Sequence, residues 1–150
     1  MNGILRGLRV IEGSAFIAAP SAGMTLAQMG AEVIRFDPLG GGLDYHRWPV
    51  TETGESLYWA GLNKGKKSFA VDIRNPRGRE LLTQLICSPG ENNGIFLTNF
   101  PTSGWMSYEN LKAGRDDLIM LNIKGNRDGT SEVDYTVNPA AGFPNLPGPS

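Results

Sequence analysis

With 150 residues, 40% of them hydrophobic and 19% charged, the chain has the composition of one globular domain with its own core, not of a disordered segment. A formal net charge of −1 supplies no overall field toward nucleic acid or an acidic membrane, so neither partner is expected. The single cysteine, Cys87, rules out an internal disulfide framework and suits a reducing cytoplasm. No apolar run of about 18 residues occurs, so no membrane span is expected. The start, MNGILRGLRVIEG, has no long apolar region before a small-residue cleavage site, so no leader is expected and the location reads as cytoplasmic.

Short apolar runs at Leu8 to Ile11, Val33 to Phe36, Phe69 to Val71, Ile95 to Leu97 and Leu118 to Ile123 read as strands. Their lack of strict polar alternation suits strands covered on both faces, as in a parallel sheet. Between the first two, Ala22 to Ala31 is apolar almost all round and reads as a buried crossover helix, with Gly30 helping the chain to leave it. A second helix is marked by Asn75 as cap, Pro76 at its first position, and Leu81, Leu82, Leu85 and Ile86 along one face. Cys87 ends that face and reads as a small core residue, not a nucleophile. Ser107 to Ala113 suggests a shorter third helix. This alternation predicts an α/β, Rossmann-like doubly wound parallel sheet with helices on both faces over residues 1–133. Residues 134–150, whose last twelve hold four prolines and two glycines, read as an extended arm.

In such a sheet ligands bind beyond the carboxyl ends of the strands. Small residues follow the first strand in Glu12-Gly13-Ser14-Ala15-Phe16-Ile17-Ala18-Ala19-Pro20, without the G-x-G-x-x-G dinucleotide fingerprint, and no phosphate loop with G-x-x-x-x-G-K occurs. Both absences argue against a nicotinamide-linked oxidoreductase and a P-loop nucleotidase. Asp37 ends the second strand before Pro38, either as a ribose contact or as a turn residue. Thr98-Asn99-Phe100 and Lys124-Gly125-Asn126 follow the fourth and fifth, Lys124 being either a phosphate contact or a surface lysine. One histidine and one cysteine cannot supply the usual zinc ligands, so no metal is expected. His46 reads as a loop residue, and no serine elbow accompanies it for a catalytic triad. Tyr45, Trp48, Tyr58 and Trp59 either cap the core edge or an interface, or stack on an adenine.

The most informative stretch is Gly61 to Asp72, GLNKGKKSFAVD. Lys64, Lys66 and Lys67 surround one glycine just before an apolar run. Ammonium groups and free backbone N–H donors at the entry to a buried element can hold phosphates, although a solvated basic turn has the same composition.

Taken in order, these motifs resemble the family III CoA-transferases. The resemblance runs from Gly7-Leu8-Arg9-Val10-Ile11-Glu12 through Ala18-Ala19-Pro20, Leu26 to Arg35, Leu62-Asn63-Lys64-Gly65-Lys66-Lys67-Ser68 and Gly78-Arg79-Glu80-Leu81-Leu82. It continues to Asn99-Phe100, Leu118-Ile119 and Lys124-Gly125, nearly the whole chain. EGSAFIAAP, FDPLGGGLDY, LYWAGLNKGK and VDYTVNP look most like the intramolecular type, which moves CoA between two carboxylates of one molecule. The resemblance implies a CoA thioester as substrate, no permanently bound cofactor, and a homodimer of interlocked subunits in the intact protein. It places Ala18, Leu62, Asn63, Lys66, Asn99, Phe100, Lys124 and Gly125 against CoA. Lys64 and Lys67 are added from charge. Pro38 stands where family members often carry an arginine, and Asn99-Phe100-Pro101-Thr102-Ser103-Gly104 alters the family's N-F-x-P-G turn.

The family's nucleophile is an aspartate that forms an anhydride and then a thioester. By the family pattern it is expected after Ser150, so no catalytic residue is assigned and the 150 residues alone are expected to be inactive. A non-catalytic CoA-binding or subunit-interaction module from a truncated gene is the alternative, and the coding sequence beyond Ser150 separates the two.

Overall fold

The computed structural model describes residues 3–130 and 132–142. Five parallel strands, β1 (Arg9–Gly13), β2 (Glu32–Asp37), β3 (Lys67–Ala70), β4 (Ile95–Thr98) and β5 (Ile119–Asn122), form one sheet in the order β3-β2-β1-β4-β5. The chain runs outward from β1 to the edge strand β3, then crosses back to β4 and β5. This is the expected doubly wound arrangement, and the direction reverses between β1 and β4. The helices are α1 (Ala18–Gln28), α2 (Leu57–Leu62), α3 (Pro76–Ile86), α4 (Tyr108–Gly114) and α5 (Asp134–Ala140).

Alternation along the strands sorts the side chains between two layers. Ile11, Phe36 and Phe96 pack with Leu82 and Ile86 of α3, Leu111 of α4 and Met106. The rings of Phe36 and Phe96 stack 6.3 Å apart. Val10, Val33 and Leu97 turn to the other side, against Ala19 of α1 and Ala31. The next residues on that side, Glu12 and Arg35, are charged and fully buried. They sit one step nearer the carboxyl ends of their strands, in register with one another.

Local chemistry explains the helix bounds. Asn75 accepts a 2.9 Å bond from the amide of Arg77 ahead of Pro76, which starts α3 as expected. Ser107 accepts from the amide of Asn110 and starts α4. Gly30, at φ 104°, ends the turn after α1. The α1 helix begins at Ala18, four residues before the expected start, because Pro20 falls in the first turn, where its missing N–H costs nothing. The short α2 was not expected; Ser56 caps it by accepting from the amide of Trp59 at 3.1 Å.

The expected extended arm is corrected over its first residues. Asp134–Ala140 is helical, nucleated where the Thr136 hydroxyl accepts from the amide of Val133 at 3.1 Å. Pro139 lies inside this short helix, in its last turn, and contributes no amide to it. Residues 143–150 lie outside those described.

Candidate functional site

In an open α/β sheet the ligand crevice is expected where the strand order reverses, here between the turns that follow β1 and β4. Asn99, just past β4, bridges it. Its carboxamide oxygen accepts from the amide of Ala15 at 2.9 Å and its NH2 group donates to the Ala15 carbonyl at 2.8 Å. The buried Thr98 hydroxyl donates to the Gly13 carbonyl at 2.6 Å and accepts from the amide of Phe100. Together these bonds fix the turn Ser14 to Ile17, which leads into α1. Phe16 there adopts φ 65°, a left-handed conformation rare for a bulky residue. Its amide donates to Oδ2 of Asp44 at 3.1 Å.

Behind this turn lies a buried ionic cluster assembled from four segments. Oε1 of Glu12 accepts from Lys66 Nζ at 2.8 Å and from the Ser14 hydroxyl at 2.5 Å. The Lys66 ammonium also donates to the Pro20 carbonyl and to Asn63 Oδ1, both at 2.8 Å. Arg35 grips both oxygens of Asp37 through Nε, at 2.9 and 3.2 Å, and donates from Nη2 to Asp44 Oδ1 and from Nη1 to Asn63 Oδ1, each at 3.0 Å. Burial pushes Glu12 up from its ordinary value against the pull of Lys66, and pushes Lys66 down. For Arg35 burial acts downward too, but the hydrogen bond it donates to Asp37 and the charges of Asp37, Asp44 and Glu12 outweigh it and raise the pKa. Oε2 of Glu12 has no hydrogen-bond partner and lies against α1 at Gly23, where a Cβ would come within 1.7 Å of it.

The residues singled out from the sequence divide accordingly. Ala18, Asn99 and Phe100 gather at the crevice, and Lys124 and Gly125 follow β5 one strand further along, Ile123 bonding to the Thr98 carbonyl. Leu62 ends α2, and Asn63 is buried with its amide shared between Arg35, Lys66 and the Trp59 carbonyl. The three lysines of the basic stretch part company. Lys66 points inward. Lys67, in register with Ile34, pairs with Glu32 on the exposed edge. Lys64 stands exposed beside Gly65, which approaches Ala27 near the far end of α1 from Ala18. Asp37 is neither of the things considered for it: its carboxylate is engaged by Arg35 within the cluster.

Glu12, Arg35 and Asp44 were not singled out, although a signal existed for the first two. Charged residues inside otherwise apolar strands mark either an edge or a buried ionic network. The aromatic residues line the same region without closing it. Trp59 lies 5.7 Å from the Arg35 guanidinium and edge-on to Tyr45, Arg47 stacks over Tyr58 and Phe16, and Trp48 is exposed. His46 is in the loop, beside Tyr45. Cys87 caps α3 with its thiol toward the Leu111 carbonyl, and burial raises its pKa. Among the described residues no cluster of acidic, histidine or cysteine side chains could hold a metal, and no helix is long and apolar enough to cross a membrane.

The model of CoA-transferase family III matches residues 5–149. Over 150 residues the chain is 71% identical to the 2-methylfumaryl-CoA isomerase of Chloroflexus aurantiacus, covering 99% of this chain and 37% of that protein. It is 35% identical over 126 residues to the succinyl-CoA–D-citramalate CoA-transferase of the same organism, covering 81% of this chain and 30% of that one. A CAIB/BAIF family protein from Brucella suis has the same fold, with a TM-score of 0.84 at 30% identity over 99% of this chain and 42% of its own. The chain thus spans well under half the length of each of these proteins.

Proposed function

Because the chain belongs to CoA-transferase family III, we propose that it is the CoA-holding N-terminal part of an enzyme that moves CoA between carboxylates, of the 2-methylfumaryl-CoA (mesaconyl-CoA) type. The observation that carries this reading is the pinned turn at the point where strand order reverses, with the start of α1 exposed beside Asn99 and Phe100. Backbone donors at a helix start and an exposed lysine one strand away suit the phosphates of a CoA thioester. Lys124 is the phosphate lysine of this arrangement; Lys64, beside the far end of α1, and Lys67, paired with Glu32 at the amino ends of the strands, stand away from the crevice. The Lys66 ammonium is left out of the phosphate set, since its three protons already have protein acceptors.

No residue described here takes the role of nucleophile. Glu12, Asp37 and Asp44 are buried in ion pairs, and Asp72 is turned back on the amide of Arg74. The reacting aspartate is assigned to the part of the enzyme beyond these 150 residues, where a homodimer in the cytoplasm would complete the site. Titration calorimetry with CoA tests the carrier site. The wild-type chain should bind, and Lys124→Ala should weaken binding by about fivefold, an effect that fades with salt. Equal affinity in both would remove Lys124 from the site. Incubation with an acyl-CoA, followed by mass spectrometry of the intact chain, should give no covalent adduct. An acyl or thioester adduct on an aspartate would overturn the absence of the nucleophile.

A further inference from the structure

We propose that Asp44 is a positioning residue that sets the shape of the turn between β1 and α1, and through it the affinity of the crevice for CoA. The inference rests on the CoA reading above. Asp44 is fully buried and comes from a loop far from either strand end in sequence. Its two oxygens have separate tasks. Oδ1 is anchored by Arg35 Nη2 at 3.0 Å, and Oδ2 accepts the amide of Phe16 at 3.1 Å. The Phe16 amide is therefore held by a carboxylate that cannot swing away, because the guanidinium fixing it is itself clamped by Asp37 and Asn63.

That bond falls on the one non-glycine residue with positive φ among the described residues. An L residue with a large side chain adopts this conformation only when its surroundings impose it. The ring of Phe16 is held from outside by Arg47, 5.4 Å from its centre, while the neighbouring residue Ala15 is pinned by Asn99. Asp44 thus works on the backbone that leads into α1, where the amides of Ile17 and Ala18, next to the bonded ones of Ala15 and Phe16, would meet a phosphate or pantetheine group. A turn shaped in advance need not be ordered when the ligand binds.

The test combines amide exchange with CoA binding. In the wild-type chain the Phe16 amide should be protected against exchange although its residue is partly exposed. Asp44→Asn places an NH2 group or a weaker acceptor against that amide. It should remove Phe16 protection while Ile11 and Phe96 keep theirs, and weaken CoA binding by about tenfold. Adding Phe16→Gly to Asp44→Asn supplies a residue to which positive φ costs little, and should recover most of the affinity. A purely structural role for Asp44 would lower stability without that rescue.

An unprotected Phe16 amide in the wild type overturns the lock without any variant, which covers the case in which Asp44→Asn does not fold. Lost protection with unchanged affinity overturns the positioning role. Failure of the wild type to bind CoA overturns the CoA reading and the positioning role together, whereas the exchange result still decides whether the lock exists.

Discussion

The two sides of the sheet solve different problems with the same strands. On the side of α3 and α4, Ile11, Phe36 and Phe96 meet Leu82, Ile86 and Leu111 in an apolar layer whose members are all but fully buried. On the side of α1, apolar packing occupies only the part around Val10, Val33 and Leu97, and gives way toward the carboxyl ends to Glu12, Arg35, Asp37, Asp44 and Lys66. The first layer is non-directional and tolerates rearrangement. The second is directional, since each charge must meet a named partner or bear the full cost of desolvation. Stability is thus concentrated on one side, and the geometry of the crevice on the other.

The comparison breaks most visibly at the cluster. Lys66→Met should lower the free energy of unfolding by about 3 kcal/mol, because Glu12 is left buried without its nearest cation and with only the more distant Arg35 guanidinium, 4.0 Å away. Adding Glu12→Leu should return a large part of that loss in urea unfolding, yet leave CoA binding weakened, since Pro20 and Asn63 have lost their tie. Recovery of binding along with stability would mean that the cluster serves stability alone.

A milder change sharpens the other side. Ile86→Val removes one methylene from the apolar layer and should cost about 1 kcal/mol without altering CoA affinity. A marked change in affinity would show that the two layers are not separable.

The smallest effect concerns a surface pair. The Glu32 carboxyl is held below its ordinary value, first by the hydrogen bond from Lys67 and then by that from Arg9. A depressed carboxylate stabilises the native state above its unfolded pKa, and that contribution disappears as the pH falls through the native one. Wild type should therefore lose stability slightly faster than Glu32→Gln in the acid range, by less than about 1 kcal/mol for so exposed a pair. Parallel unfolding curves from neutral pH to pH 3 would show that the pair contributes nothing.

Much of the fold was legible because it depends on short-range signals. The apolar runs placed all five strands within a few residues, and Asn75-Pro76 and Ser107 placed two helix starts by chemistry that needs no tertiary context. The fate of the basic stretch depends on tertiary contacts. Lys64, Lys66 and Lys67 look alike in sequence, and only the meeting of Glu12, Pro20 and Asn63 around one ammonium distinguishes Lys66. Asp37 was similarly ambiguous, because its partner Arg35 lies two residues away on the same strand and face, a pairing that turn chemistry does not suggest. The helix at Asp134–Ala140 was hidden by the prolines and glycines of the segment as a whole.

Asn99 presents to Ala15 one acceptor and one donor, the same pair of groups that a strand residue offers its neighbour. A side chain thereby adds one more rung to the ladder between β1 and β4, while the main chain of Asn99 is free to turn away. Aspartate lacks the donor and glutamine is one carbon too long, so position 99 is restricted in chemistry. Position 15 is limited only by the space around it, because Asn99 binds its backbone and ignores its side chain.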